Sequence, residues 1–409
     1  MRHELLRRHP MISRSKSIAP GYITPEDFQE DENDFHISLG ALPILYSTDW
    51  TSGTAVDQIS RNVIDLDPRF QRRDAWSPAD KSKFIESLAL HIPIPQIILA
   101  EHPHQKRRYI VIDGKQRLLT LVQFLSDSSS GASYKRLRLV GLKEREDLNG
   151  KYFSDIRNTD DGAAIENAVI RTVIINGVRD EDFLYEVFLR LNTLGKSLSP
   201  QELRQALAPG QFTNFLDDRA VESDAIRHAL NLRGPDRRMR DNELLLRFFA
   251  FKLHLDEYDG NFKRFLDNAT KLGNQHWSSD KIIYFDAADN LDRAIELTFK
   301  LFGRRAFQSF ERSKYTGRFN RAVFDIMAYF FSEPEIGLAA SQNPSGVVAA
   351  FENLCQSDAE FRSFLSVNTK EAYNVYIRFS KWRSALAAAL AMDIPAIGFN
   401  SKSGRIVID

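Results

Sequence analysis

Apolar residues follow two rhythms along this chain, and the change between them falls near residue 210. From about Leu42 to Ala208, short apolar runs of strand length alternate with segments whose apolar positions recur every three or four residues. VIDLDP (63–68) has strand character and ends at a proline. SPADKSKFIESLAL then opens a helix, with Ser77 as N-cap, Pro78 at the first helical position and Asp80 in the first turn. Phe84, Ile85 and Leu88 supply its apolar face. A strand over about Gln96 to Glu101 and another in RYIVID are separated only by the polar turn HPHQKR, which predicts an antiparallel hairpin. A helix at 115–125, the loop DSSSGAS and a strand in NAVIRTVIING (167–177) follow. DEDFLYEVFLRLN places Phe183, Val187, Phe188 and Leu191 at helical spacing, and Ser199, Pro200 and Glu202 cap one more helix.

Beyond Pro209 the strand rhythm stops. DNELLLRFFAFKLHL, DGNFKRFLDNATKL, AADNLDRAIELTFKLF, RFNRAVFDIMAYFF and the segment from about Lys370 to Met392 all read as helices. The first is apolar almost all round between Leu244 and Leu255, which predicts a place at the centre of a bundle. No fixed-length repeat is visible. The expected architecture is α+β: a mixed-sheet domain at 41–210 and an all-α helical domain at 211–409, preceded by a poorly ordered leader at 1–40. That leader runs from basic MRHELLRRHPMISRSK to acidic PEDFQEDENDF without a sustained period, and carries no apolar core of a secretory signal.

Composition narrows the picture only slightly. The 409 residues carry 55 basic and 55 acidic side chains, so any basic surface must be local. A single cysteine, Cys355, excludes an intrachain disulfide and fits a reducing compartment. No apolar run reaches the roughly 18 residues needed to span a bilayer, and a cytoplasmic location without membrane attachment is expected. The histidines are scattered, His102 and His104 sit on a polar turn, and there is no cysteine cluster for zinc.

The most informative stretch is YIVIDGKQRLLTLVQFL, Tyr109 to Leu125. Ile110, Val111 and Ile112 read as a strand buried on both faces, and Leu118, Leu121, Val122 and Leu125 form one helical stripe, so the helix must begin within DGKQR. Asp113 is the expected N-cap, and Gly114 permits a tight turn or the close approach of a ligand. Unpaired N–H groups and partial positive charge gather at any helix start. Lys115 and Arg117 add formal charge there, a combination suited to phosphate. The same residues also suit an ordinary Asp-Gly turn and a solvated helix face.

Asp-Gly-Lys-Gln-Arg after an apolar strand resembles the signature of the GmrSD N-terminal domain family, which is related to the ParB/sulfiredoxin fold. DPRFQRRDAW (67–76), SLALHIPIPQIIL (87–99) and FLRLNTLGKSLSPQELRQAL (188–207) resemble further family segments in the same order, so the likeness covers about Asp57 to Leu207. It implies a nucleotide-handling domain, often the sensor or motor part of an anti-phage restriction system. Carried onto this chain, it implies phosphate contacts from Gly114, Lys115, Gln116 and Arg117, with Asp113 holding Mg²⁺ or orienting water and Arg117 offsetting phosphate charge. Gln71 and Arg72 are expected to form a second polar wall, and Asn192 and Lys196 to reach the nucleotide from the Asn-Thr-x-Gly turn. Lys115 stands where the family more often has glutamine, which leaves an anion site intact. Some relatives carry a C-terminal HNH nuclease domain, and none is expected here.

One further stretch, RGPDRRMRDNELLLRFF, sets Arg233, Arg237, Arg238 and Arg240 before the apolar helix, with Lys314, Arg318 and Arg321 in KYTGRFNRAVFD as an extension. Nucleic-acid backbone contact, above all by Arg237, Arg238 and Arg240, competes with a plain solvated loop. The expected function is therefore a nucleotide-binding protein, an NTPase or nucleotide sensor of a defence system, with Mg²⁺ and an NTP as ligands. DNA, a separately encoded nuclease or another defence subunit are the expected partners, and an oligomer is compatible with the pattern. The alternatives are a non-catalytic DNA-binding or adaptor subunit and a metal-dependent DNA nicking enzyme using Asp113.

Overall fold

In a computed structural model of the chain, the residues described are 43–66, 76–103, 105–126, 134–177, 183, 184, 187, 199–367 and 369–408. Gln71, Arg72, Asn192 and Lys196, and the expected leader, lie outside them. The first half builds one mixed sheet from β1 (Ile44–Thr51), β2 (Ile64–Asp65), β3 (Ile97–His102), β4 (Gln105–Asp113) and β5 (Val169–Asn176). Helices α1 (Ser52–Ser60), α2 (Pro78–Ala89), α3 (Lys115–Leu125), α4 (Phe153–Ile156) and α5 (Asp160–Glu166) are interleaved with them. The strand order is β1-β5-β3-β4-β2. β3 and β4 form the antiparallel hairpin expected from their short connection, while β3 runs parallel to β5 and β2 parallel to β4.

Both faces of the central strands are covered, which is why they read as unbroken apolar runs rather than as an alternation. Ile97, Leu99 and Val111 point to one face, against Ile85, Leu88, Leu118 and Leu121 of α2 and α3. Ile98, Ala100, Ile110 and Ile112 point to the other. There they meet Leu184, and Leu203 and Leu207 of α6 (Pro200–Leu207). The caps of α2 and α6 are the expected ones: Ser77 with Asp80 and Ser199 with Glu202 each close a reciprocal capping box behind a proline. Trp76 packs edge-on to Phe84 at 5.7 Å, as a core residue does.

Downstream the chain is mostly helical. It comprises α7 (Gln211–Glu222), α8 (Asp224–Ala229), α9 (Arg240–His254), α10 (Phe262–Gln275) and the long α11 (Trp277–Phe302). These are followed by α12 (Arg321–Phe331), α13 (Pro334–Gln342), α14 (Pro344–Ser357), α15 (Ala359–Phe364) and α16 (Ala372–Leu390). Two short hairpins interrupt the helices where the pattern predicts none: β6 (Phe310–Glu311) with β7 (Lys314–Tyr315), and β8 (Ile397–Asn400) with β9 (Arg405–Ile408). Helix α9 is buried along most of its length, from Asp241 to Phe251, as its all-round apolarity predicts.

One cation interrupts that apolar centre. Arg247 donates to both carboxylate oxygens of Asp325 on α12, with Arg247 Nη2 2.5 Å from Asp325 Oδ2. Arg378 of α16 brings Nη2 to 4.0 Å from Asp325 Oδ2 and donates Nη1 to the carbonyls of Phe364 and Thr369. Burial lowers Arg378 to about 10, with Asp325 working against the fall. Cys355 is buried in the same helical core.

Candidate functional site

The strand-to-helix junction at residues 109–125 folds almost as its sequence predicts, with the cap shifted by one residue. Asp113 is the last residue of β4, and Gly114, not Asp113, occupies the cap position of α3 without a side-chain capping bond. Gly114 has φ +97°, a left-handed conformation that disfavours any side chain. A Cβ placed there would lie 2.9 Å from Ile97 Cγ1, so glycine is demanded by space as well as by conformation.

Both cations of the first turn face inward. Arg117, 9% exposed, donates Nη2 to Asp113 Oδ2 at 2.8 Å. Its Nη1 donates to the carbonyls of Pro95 and Gln96, the latter at 3.0 Å. The guanidinium thus ties the start of α3 to the chain that enters β3. Lys115, 8% exposed, places Nζ 3.0 Å from Glu202 Oε1. The other oxygen of Glu202 accepts from the Ser199 N–H at 2.7 Å. One carboxylate therefore caps α6 and neutralises a cation at the start of α3. Gln116 is half-buried, and its Oε1 has no hydrogen-bond partner.

From Glu202 a polar chain continues into the helical region. Gln201 donates to Asn242 on α9 at 2.7 Å, and Arg204 reaches Gln201 at 2.6 Å and Asp267 on α10 at 2.7 Å. Asp267 also accepts from Lys263, 3.1 Å away. Its carboxyl is held below the ordinary range: burial works against the charge, and Arg204 and Lys263 beside it outweigh burial. Gln205, 4% exposed on the same helix, has neither amide atom paired.

The structure thus brings Asp113, Gly114, Lys115, Gln116 and Arg117 together at one helix start. Arg237 and Arg238 lie elsewhere, before α9, and Arg240 is the first residue of that helix. Asp236 accepts from the backbone N–H of Arg238 and of Arg240 and takes the Arg240 guanidinium, with Nε at 2.8 Å. Arg237 and Arg238 are exposed. The residue that sequence reasoning underused is Glu202. Its capping role was legible, but its bond to Lys115 spans 87 positions and leaves no local signal. Among the described residues no three His, Cys, Asp or Glu side chains gather as a metal site, and no helix is long and apolar enough to cross a membrane.

Compared with known families, residues 53–208 match the model described as GmrSD restriction endonuclease, N-terminal domain. No curated protein and no solved structure matches the chain. The match begins within α1 and ends just after α6, so it takes in the junction and the carboxylate that meets Lys115. Residues 53–208 thus carry the likeness to the GmrSD N-terminal domain, and a mostly helical region follows them.

Proposed function

We propose that this protein is a nucleotide-responsive component of a restriction or anti-phage system, and that it takes the phosphates of an NTP at the start of α3. The family match supports the setting. The observation that carries the ligand reading is the Lys115–Glu202 pair behind Gly114. A carboxylate already occupies the place of an anion on Lys115, and a triphosphate is a stronger anion for the same ammonium and the same helix start. Phosphate that competes for Lys115 would loosen Glu202 from α3. Glu202 sits on the helix that holds α9 and α10 through Gln201 and Arg204, so the helical region is placed to respond.

Within this reading Arg117 is a positioning residue, because its donors already hold Asp113 and two carbonyls. Asp113 fits Mg²⁺ brought in by the nucleotide, since the bond to Arg117 uses only Oδ2 and Mg²⁺ commonly takes one or two carboxylates with phosphate oxygens. Bound Mg²⁺ would neutralise phosphate charge. The internal engagement of Arg117 favours sensing over hydrolysis, because a cation that stabilises a transferring phosphoryl group must reach it.

Thermal unfolding of the wild type with Mg²⁺ and each common NTP tests this reading, with phosphate release followed in the same samples. Ligand that binds the folded state alone raises Tm. The expected result is a rise of several degrees for one nucleotide, lost in the double variant Lys115→Gln, Glu202→Gln. That variant removes both charges together and so avoids stranding one. No shift with any nucleotide in a folded wild type sinks the proposal, and phosphate release at a catalytic rate replaces sensing by hydrolysis.

A further inference from the structure

Two connections in the helical region end at the same place. Arg321 of α12 lies 3.6 Å from Glu243 of α9, and four residues on, Asp325 holds Arg247. The two contacts advance together, so α9 and α12 run parallel with their N-termini at one end. At that end the connections also begin together: His228 of α8 stacks on Phe299 in the last turns of α11, ring centroids 4.0 Å apart. The chain from α8 to α9 and the chain from α11 to α12 therefore lie side by side on one end of the bundle.

Both are basic. Residues 230–239 carry Arg233, Arg237 and Arg238, all exposed, against one acid, Asp236, which is buried and turned into its own loop. Residues 303–320 carry five cations against one acid, Glu311. Arg304, Arg312, Lys314 and Arg318 are exposed, and Arg305 stands 3.5 Å from Glu352. Arg312 and Ser313 form the two-residue turn between β6 and β7, both left-handed at φ 48° and 62°. Asparagine and glycine are the usual occupants of such a turn. An arginine at its tip carries charge where the backbone does not favour it. In a chain of equal acidic and basic count, these two connections carry eight cations against two acids, with Glu352 of α14 beside Arg305 as a third.

We propose that this end of the helical region binds the phosphate backbone of duplex nucleic acid. The surface lies outside residues 53–208 and does not depend on a nucleotide at α3. The aromatic residues beside it favour a duplex over a single strand, because they are already engaged. Tyr315 donates its hydroxyl to Glu352 at 2.9 Å and lies under Arg305, and Phe319 packs between Phe307 and Phe324. Single-strand binding relies on exposed rings that stack on bases, and neither ring is offered. Cations without base-reading partners give affinity that is independent of sequence and strongly dependent on salt.

The test is fluorescence anisotropy of a labelled duplex of scrambled sequence with the full chain over a range of salt, beside the matching single strand and anionic vesicles. The wild type is expected to bind the duplex at low salt, more tightly than the single strand, with log K falling steeply against log salt. The triple variant Arg312→Gln, Lys314→Gln, Arg318→Gln should bind about tenfold or more weakly, with the salt slope reduced by about 3. Arg233→Gln with Arg237→Gln should reduce it by about 2 more. Absence of duplex binding at low salt overturns the proposal, as does wild-type affinity and slope in the triple variant. Vesicle binding that exceeds duplex binding and is lost in the same variant assigns the surface to anionic lipid instead.

Discussion

The cations at the start of α3 and those at the basic end of the helical bundle are the same residue types put to opposite use. Lys115 and Arg117 are turned inward, each against a named carboxylate, and are nearly closed to solvent. Arg312, Lys314 and Arg318 are turned outward on a hairpin and the loop that follows it. An inward cation fixes geometry, since removing its partner leaves charge in a medium that solvates it poorly. An outward cation creates a field and contributes little to the fold. Residue identity alone does not separate the two uses, and burial does.

Arg247 and Arg378 extend the inward class to its limit, and the largest effect is expected there. Asp325→Ala withdraws the carboxylate that serves both guanidinium groups and should lower unfolding free energy by about 3–5 kcal/mol. Urea denaturation measures it, and a loss below 1 kcal/mol would place Arg247 and Arg378 among cations that do not need their acid. Glu202→Ala should cost about 2–4 kcal/mol, combining loss of the α6 cap with loss of the carboxylate beside buried Lys115. Replacing both members, Lys115→Met with Glu202→Leu, should recover part of that loss. A double variant no better than Glu202→Ala would assign the whole effect to the cap.

Lys81 tests the inward class through pH. Burial, with Lys135 nearby, lowers it to about 8, and its Nζ donates to Gln123 Oε1 at 2.5 Å. Its pKa is lower folded than unfolded, so the unfolded chain holds more protons between about pH 8 and 10.5. Stability contributed at this site therefore rises with pH across that window. Lys81→Met should compare best with the wild type near pH 7 and lose that advantage by pH 10, as read from Tm along a pH series. A difference independent of pH would remove Lys81 from the class. The smallest effect is expected for the outward cations: Arg312→Gln, Lys314→Gln and Arg318→Gln together should change stability by less than about 0.5 kcal/mol per site. A larger loss would show that the basic end holds the fold rather than a ligand.

Legibility followed the range of the interaction. The helices α2, α3 and α6 could be read because their apolar stripes and capping residues lie within a few positions of one another. The β3–β4 hairpin could be read from its short turn. Strand β1 escaped notice because ILYSTDWT forms an edge whose first four residues are exposed, so it carries no buried alternation. The hairpin at β6 and β7 is two residues a side, too short for any period. The residues of the candidate site were legible as a group, and their direction was not. Lys115 turns inward because of a glutamate 87 positions away, and Arg117 because of two carbonyls more than 20 positions earlier. The cap falls on Gly114, one residue past Asp113, and there Ile97, 17 positions earlier, leaves no room for a Cβ.

The single thiol has a practical consequence. Cys355 is fully buried, and burial pushes it up to about 12, so at neutral pH it carries almost no thiolate and resists alkylation. The native sequence is therefore already a silent background for site-directed labelling. A cysteine introduced at Ser313, on the exposed hairpin tip beside Arg312, would accept a dye selectively and turn the basic end into its own optical reporter.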